Sequence, residues 1–401
     1  MSTLIDLDAN ATTRPLPEVI EVVARHLSAS WGNPGSRHGL GRQARRVLEE
    51  SRESIATILG AHPDEVLFTS GGTESNNTAI FGLARGNSGT MVISPGEHPA
   101  NLEACRVLMR RGWKLERLPV DGEGRFQVEG LRSRVEGQRN SEETRHAAFR
   151  PSTLTAELST NPQVAAVILA HNETGVIQDM PLLQEWCSTA GCPLHLDGVQ
   201  AVGKIPVNFR ELGATTLSFG AHKFHGPRGI GGLLIRRGTR LTPLLYGGHQ
   251  EQERRPGTEA VPLIAGMARA LELWQEDQTS RARQLSMLRD RLQQGLTERC
   301  APVVVNSAHV ERLPNTLNIA FSGLDGEALL VALDLAGVCC SLGTTCASGS
   351  TEPAPILVAM GCPPEVYRSS VRFSLSILNT VAEIDQAIER VARVVERMRR
   401  G

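Results

Sequence analysis

The chain has 401 residues, with 42 basic side chains against 43 acidic ones, a net charge of −1 and only 4% aromatic residues. Charge so evenly balanced supplies neither the field nor the stacking surface of a nucleic-acid binder. No apolar run approaches the roughly 18 residues of a membrane span, and a chain this long needs no disulfide or metal staple to bury a core.

Residues 17–27 carry helical spacing with an acidic start, 32–41 form a loop rich in Gly, Pro and His, and 42–59 read as an amphipathic helix stopped by Gly60. A short strand at 65–68 leads to a helix whose body is 76–84. Further short apolar strands fall at 90–94, 114–118, 165–170, 193–196 and 217–220, with helical segments between most of them. This alternation predicts a mainly parallel sheet covered on both faces, with reactive residues at the strands' carboxyl ends. Residues 132–152 are polar, charged and aperiodic and read as a flexible surface insertion, the alternative being a partner-binding loop. A long, mostly helical stretch at 261–299 precedes strands at 303–305 and 315–321, a helix at 327–335, a strand near 371–375 and a helix at 381–399. The expected division is a large domain of 15–260 and a smaller α/β domain built from 1–14 and 261–401.

Eight cysteines, Cys105, Cys187, Cys192, Cys300, Cys339, Cys340, Cys346 and Cys362, include no CxxC pair and no zinc-site spacing. They read as reduced thiols with no metal, and residues 1–6 carry no leader signature, so the expected location is cytoplasmic.

Several short motifs carry chemistry. Ser218 to Gly229 delivers Lys223, flanked by His222 and Phe224-His225, into a Gly/Pro-rich loop after a strand. A lysine in such a place is costly for structure alone, but a carbonyl cofactor can use its amine as a Schiff-base partner. Asp197 and Gln200 upstream suit the ring nitrogen and phenolic oxygen of pyridoxal phosphate (PLP). Gly71-Gly72-Thr73 opens a helix after a strand, the outline of a phosphate cup, though a capped helix after a turn has the same look. His98 falls near a strand end, where an imidazole can stack on a planar ring and move protons, or simply be a hydrogen-bonded loop residue. Asn172 reads either as a turn former or as a ligand-facing amide. Arg372, on an alternating strand, offers a fork for a carboxylate, against the plainer reading of a surface salt bridge. Cys346 sits in a small, polar stretch, the setting of a reachable nucleophile and not of a core thiol.

Read together and in order, these motifs resemble the cysteine desulfurases of the NifS/IscS type, in the class V aminotransferase group of fold-type I PLP enzymes. The resemblance runs from Asp8-Ala9-Asn10-Ala11-Thr12-Thr13-Arg14 to Arg372-Phe373-Ser374, through Gly32-Asn33-Pro34, Asn172-Glu173-Thr174-Gly175, His222-Lys223 and Arg255-Pro256-Gly257-Thr258. It implies a seven-stranded, mainly parallel sheet in the large domain and a homodimer. It implies that Lys223 carries PLP, Asp197 faces the ring nitrogen, Gln200 the phenolic oxygen, and His98 stacks on the ring. Gly72, Thr73 and His222 would hold the phosphate, with Thr258 from the other subunit. Asn33, Asn172 and Arg372 would orient the carboxylate of L-cysteine. Cys346 would take the sulfur as a persulfide and pass it to an acceptor or scaffold protein for iron–sulfur clusters or tRNA thiolation. Gly220, where many relatives carry serine, and Pro256 depart from the pattern. The rival readings are a selenocysteine lyase, an ordinary aminotransferase and a catalytically silent dimeric scaffold.

Overall fold

The computed structural model describes residues 4–128, 162–342 and 354–400. The 132–152 insertion and the stretch holding Cys346 lie outside the described residues.

In chain order the strands are β1 (Ile5–Asp6), β2 (Val66–Thr69), β3 (Thr90–Ile93), β4 (Lys114–Arg117), β5 (Val164–Ile168), β6 (Leu194–Asp197), β7 (Thr216–Gly220), β8 (Gly231–Ile235), β9 (Val303–Val305), β10 (Thr316–Phe321), β11 (Val338–Cys339), β12 (Ser341–Leu342) and β13 (Ser370–Ser374). The helices are α1 (Pro17–Ala29), α2 (Gly39–Ile58), α3 (Gly72–Leu83), α4 (Pro99–Arg110), α5 (Pro181–Thr189), α6 (Val261–Glu276), α7 (Gln278–Arg299), α8 (Gly326–Leu335), α9 (Pro355–Ala359), α10 (Pro364–Tyr367) and α11 (Val381–Arg400).

Seven strands form one sheet in the order β2-β8-β7-β6-β5-β3-β4, parallel throughout except for β8. β5, β6, β7 and β8 are buried at every position, as strands covered on both faces must be. β8 was not anticipated. It opens with Gly231 and Gly232, which read as more of the preceding loop, but Gly232 is small for a packing reason: a Cβ there would stand 2.2 Å from the Phe219 ring on β7. α6 packs on α1 and α2 and buries Ile264, Met267 and Leu271 in the core of this sheet.

A second, antiparallel sheet runs β12-β13-β10-β9, with the parallel pair β1-β11 beside it. Its core joins Leu288, Leu292 and Leu296 of α7 to Ile384, Val391 and Val395 of α11, and takes in Ile5 and Leu7 from the start of the chain. The long helical stretch is two helices, parted at Asp277. The N-terminal segment 8–13 leaves this second core, and its backbone bonds pass from Ser374 to His222. It therefore runs past the carboxyl ends of the main sheet's strands.

Candidate active site

Five strands of the main sheet end toward one cavity. After β2, Gly71 takes φ 156° and ψ −178°, a region open essentially to glycine alone, and α3 begins at once. The first-turn amides of α3 have no acceptor within the helix and carry the positive end of its dipole. A Cβ on Gly72 would meet Val199 at 2.6 Å, so that backbone closes directly on the opposite wall. β3 leads to His98, the N-cap of α4, whose Nδ1 accepts the Ala100 N–H at 3.1 Å, leaving the proton of the neutral ring on Nε2. β5 leads to Asn172, β6 ends on Asp197, and β7 runs into a single 3₁₀ turn (Ala221–Lys223) that presents Lys223.

The cavity, about 180 Å³ and partly open to solvent, is lined by Gly72, Thr73, His98, Asn172, Asp197, Gln200, His222 and Lys223 among others. Eight of the residues predicted from sequence therefore meet at one place. Asn33 and Thr258 are exposed and do not line it in this chain; the Asn33 side chain accepts the Gly35 N–H instead. Arg372 stands just behind it, donating to the Asn172 carbonyl.

Asp197 is 5% exposed and held by three donors: Asn76 Nδ2 at 2.6 Å, the Val199 N–H at 3.0 Å and Asn101 Nδ2 at 3.4 Å. Asn76 is oriented in turn, because its Oδ1 accepts from His195 Nε2 and from the Ser218 hydroxyl. Burial pushes His195 down to about 3, so it serves as a neutral donor. The Lys223 ammonium donates to the Asn10 and Ala11 carbonyls at 2.7 and 2.8 Å. Its charge, with burial as the larger cause, drives His222 down to about 4. His98 is lowered by desolvation, with Asp197 opposing and Lys223 adding. Glu97, one residue before His98, is fully enclosed and raised to about 8, first by burial. Arg372 is 4% exposed and bonds Asp8 at 2.7 Å and Glu173 at 3.3 Å, while Asn172 Nδ2 donates to the same Glu173 at 2.6 Å.

A primary amine, a carboxylate fixed by donors, an imidazole and a helix N-terminus facing one space define an α/β enzyme built for a planar, anionic carbonyl ligand. A family model for aminotransferase class-V matches residues 5–140 and 139–387. A cysteine desulfurase of Trichormus azollae is 39% identical over 99% of this chain and 94% of that protein. A solved NifS-like protein superposes with a TM-score of 0.84 at 31% identity, covering 98% of this chain and 100% of its own. The structure titled SspA in complex with cysteine gives 0.76 at 27%, covering 93% and 99%. The chain belongs to the class-V aminotransferase family, among the cysteine desulfurases of the NifS/IscS type.

The sequence reading missed the supporting layer: Asn10, Asn76, Glu97, Asn101, His195 and Lys204. Asn10 sat inside a quoted motif, and Asn76 opened the helix body read at 76–84. Lys204 had a signal of its own, a lysine in the apolar run Ala201-Val202-Gly203-Lys204-Ile205, four residues after Gln200.

Proposed function

We propose that this protein is a PLP-dependent cysteine desulfurase, converting L-cysteine to L-alanine and passing the sulfur on through a persulfide on Cys346. The observation that carries the reading is the single cavity in which Lys223, Asp197 and the α3 N-terminus face one another. The donor set fits the cofactor group by group. The N-terminus of α3 at Gly72 and Thr73, with His222, would receive the phosphate; Asp197 would face the ring nitrogen, and the Gln200 amide the phenolic oxygen. When bound, PLP supplies an electron sink for the bonds broken at the substrate's α-carbon.

The chain's own residues then divide the work. Lys223 would anchor the cofactor, and the Asn10 and Ala11 carbonyls hold its ammonium whenever the amine is free. It is also placed to move the α-proton. His98 covers the ring and, with Nδ1 taken by Ala100, has Nε2 for proton exchange. Arg372 and Asn172, with Asn33, orient the substrate carboxylate. The Cys346 thiolate takes the substrate sulfur: an S–S bond forms, the C–S bond breaks, and the β-carbon is protonated to give alanine. Thr258 completes the phosphate site of a second copy in a cytoplasmic homodimer, and an acceptor protein removes the sulfur.

The test is turnover of L-cysteine with reductant, reading alanine and sulfide, beside mass mapping of the persulfide. Cys346→Ser is expected to lose sulfide release by at least a hundredfold while keeping bound, coloured PLP. Undiminished sulfide release in that variant would falsify the persulfide route, and fast turnover of selenocysteine with none of cysteine would reassign the substrate.

A further inference from the structure

Only three lysines occur among the 42 basic residues, Lys114, Lys204 and Lys223. Lys114 is exposed at the start of β4. Lys204 is buried, at 7% exposure, and no carboxylate is among its hydrogen-bond partners: it donates to Asn10 Oδ1 at 2.7 Å and to Gln200 Oε1. The Gln200 amide is thereby fixed at both ends, because its Nε2 donates to the Asn10 carbonyl at 2.9 Å. That same carbonyl receives the Lys223 ammonium. The turns that bring Lys204 under Gln200 are backbone bonds from Ala201 and Val202 to Gly198 and from Lys204 and Ile205 to Ala201.

An amide in a wall has two orientations that differ little in shape and oppositely in chemistry. Gln200 lines the cavity, so its orientation decides whether a ligand oxygen meets an N–H or another oxygen. A second observation points to the same ligand. The crevice behind Lys223 is lined by Lys204, Lys223, His225 and Arg281, with no acidic residue among those lining it. Burial, and then the Lys223 and Arg372 charges, push the Lys204 amine well below its ordinary value, and an anionic oxygen arriving nearby would offset that.

We propose that Lys204 is a positioning residue: by holding Gln200 Oε1 it commits the Gln200 N–H to the cofactor's phenolic oxygen. The inference rests on the PLP reading of the cavity. An arginine would not replace it, because the planar fork is bulkier than the single nitrogen that two acceptors enclose here. The role also accounts for a lysine being kept where nearly every other basic residue is arginine.

The experiment is a double-mutant cycle on the PLP-loaded protein with Lys204→Met and Gln200→Leu. The readouts are the pH midpoint of the bound cofactor's absorbance change, its dissociation constant, and borohydride tagging of Lys223. Losing the fixed N–H donor at the phenolic oxygen makes the nearby Schiff-base nitrogen a stronger base. Lys204→Met should therefore raise the midpoint by about one pH unit and weaken PLP about tenfold. In the Gln200→Leu background it should change the midpoint by much less. An unshifted midpoint overturns the proposal, and so does an equal shift in both backgrounds, which would be a field effect not routed through Gln200. If the methionine variant does not fold, Lys204→Gln carries the same cycle with a smaller expected shift. Failure to tag Lys223 in the unmutated protein would instead sink the PLP reading, so the two failures are separable.

Discussion

Lys223, Asp197 and Gln200 are each held in place by a side chain or carbonyl distant in sequence. Asp197 accepts from Asn76, which cannot flip because His195 and Ser218 hold its oxygen. Lys223→Ala should abolish covalent attachment and leave PLP held only by non-covalent contacts, to Asp197, Gln200, His222 and the α3 N-terminus, which gel filtration followed by absorbance would show. Gly220 gives a second residue-scale prediction. Its backbone is ordinary β (φ −138°, ψ 124°), and an added Cβ would lie 3.4 Å from the Gly72 nitrogen and 3.6 Å from His222. Serine fits there, beside the phosphate cup. Gly220→Ser should bind PLP about three- to tenfold tighter, the value of one added hydrogen bond; weaker binding would show that the position is not at the phosphate. At this scale the reacting groups were legible because their chemistry is unusual for their context, as with a lysine after a buried strand. The supporting Asn76, Asn101 and Lys204 were not, because amides and buried cations announce themselves only through partners distant in sequence.

Among the described loops, the one after β8 carries three consecutive left-handed non-glycine residues, whereas His225 and Ser307 are single cases elsewhere. Glu251, Gln252 and Glu253 all take left-handed φ of 49°, 58° and 64°, each at a cost of about 1–2 kcal/mol for a non-glycine residue. Arg52 offsets this. It pairs with Glu251 through two bonds, of 3.1 and 2.6 Å, donates to the Val66 carbonyl and lies over the Phe68 ring at 4.6 Å. A few residues on, Arg255 pairs with Glu74 in the first turn of α3 at 2.8 Å, so the segment leading to Thr258 is fixed at two points. Arg52→Met leaves Glu251 buried without its cation and should cost about 3–5 kcal/mol, seen as an earlier urea midpoint at unchanged slope. A loss under about 1 kcal/mol would mean that the pair is not what holds the loop. β5 was readable as a continuous apolar run, and the other parallel strands only as short segments with apolar residues among polar ones. β8 was not, since its two leading glycines serve Phe219 and Gly71 across the sheet and carry no pattern of their own.

Across the whole molecule, two cores are joined by the segment at 8–13, and Asn10 is the knot. Its backbone N–H donates to the Ser374 hydroxyl, its Nδ2 to Thr316 and to the Asn172 carbonyl, and its carbonyl takes Gln200 and Lys223. Buried titratable groups fix how the whole responds to pH. His171 and His195 are depressed by burial to about 4 and about 3, so they stabilise the fold fully above pH 6.5 and progressively less as pH falls. Each loses about 1.4 kcal/mol per pH unit across its window. Glu97 runs the other way: raised to about 8, it favours the fold below pH 4.5 and loses that contribution as pH rises through 8. His222, driven down to about 4 chiefly by burial, adds to the two histidines, so Glu97 offsets one of the three between pH 6.5 and 4.5 and none below 4.5. The cofactor-free protein should therefore lose stability gently from pH 6.5 to 4.5 and steeply below, by urea midpoint; a midpoint flat to pH 4 contradicts this.

The central claim is that the Lys223 amine is where the cofactor is anchored, and three lysines make the measurement decisive. Reducing the PLP-loaded protein with borohydride and mapping the peptides should place the phosphopyridoxyl group on Lys223 alone. A tag on Lys204 or Lys114, or no tag on a protein that binds PLP, contradicts the account.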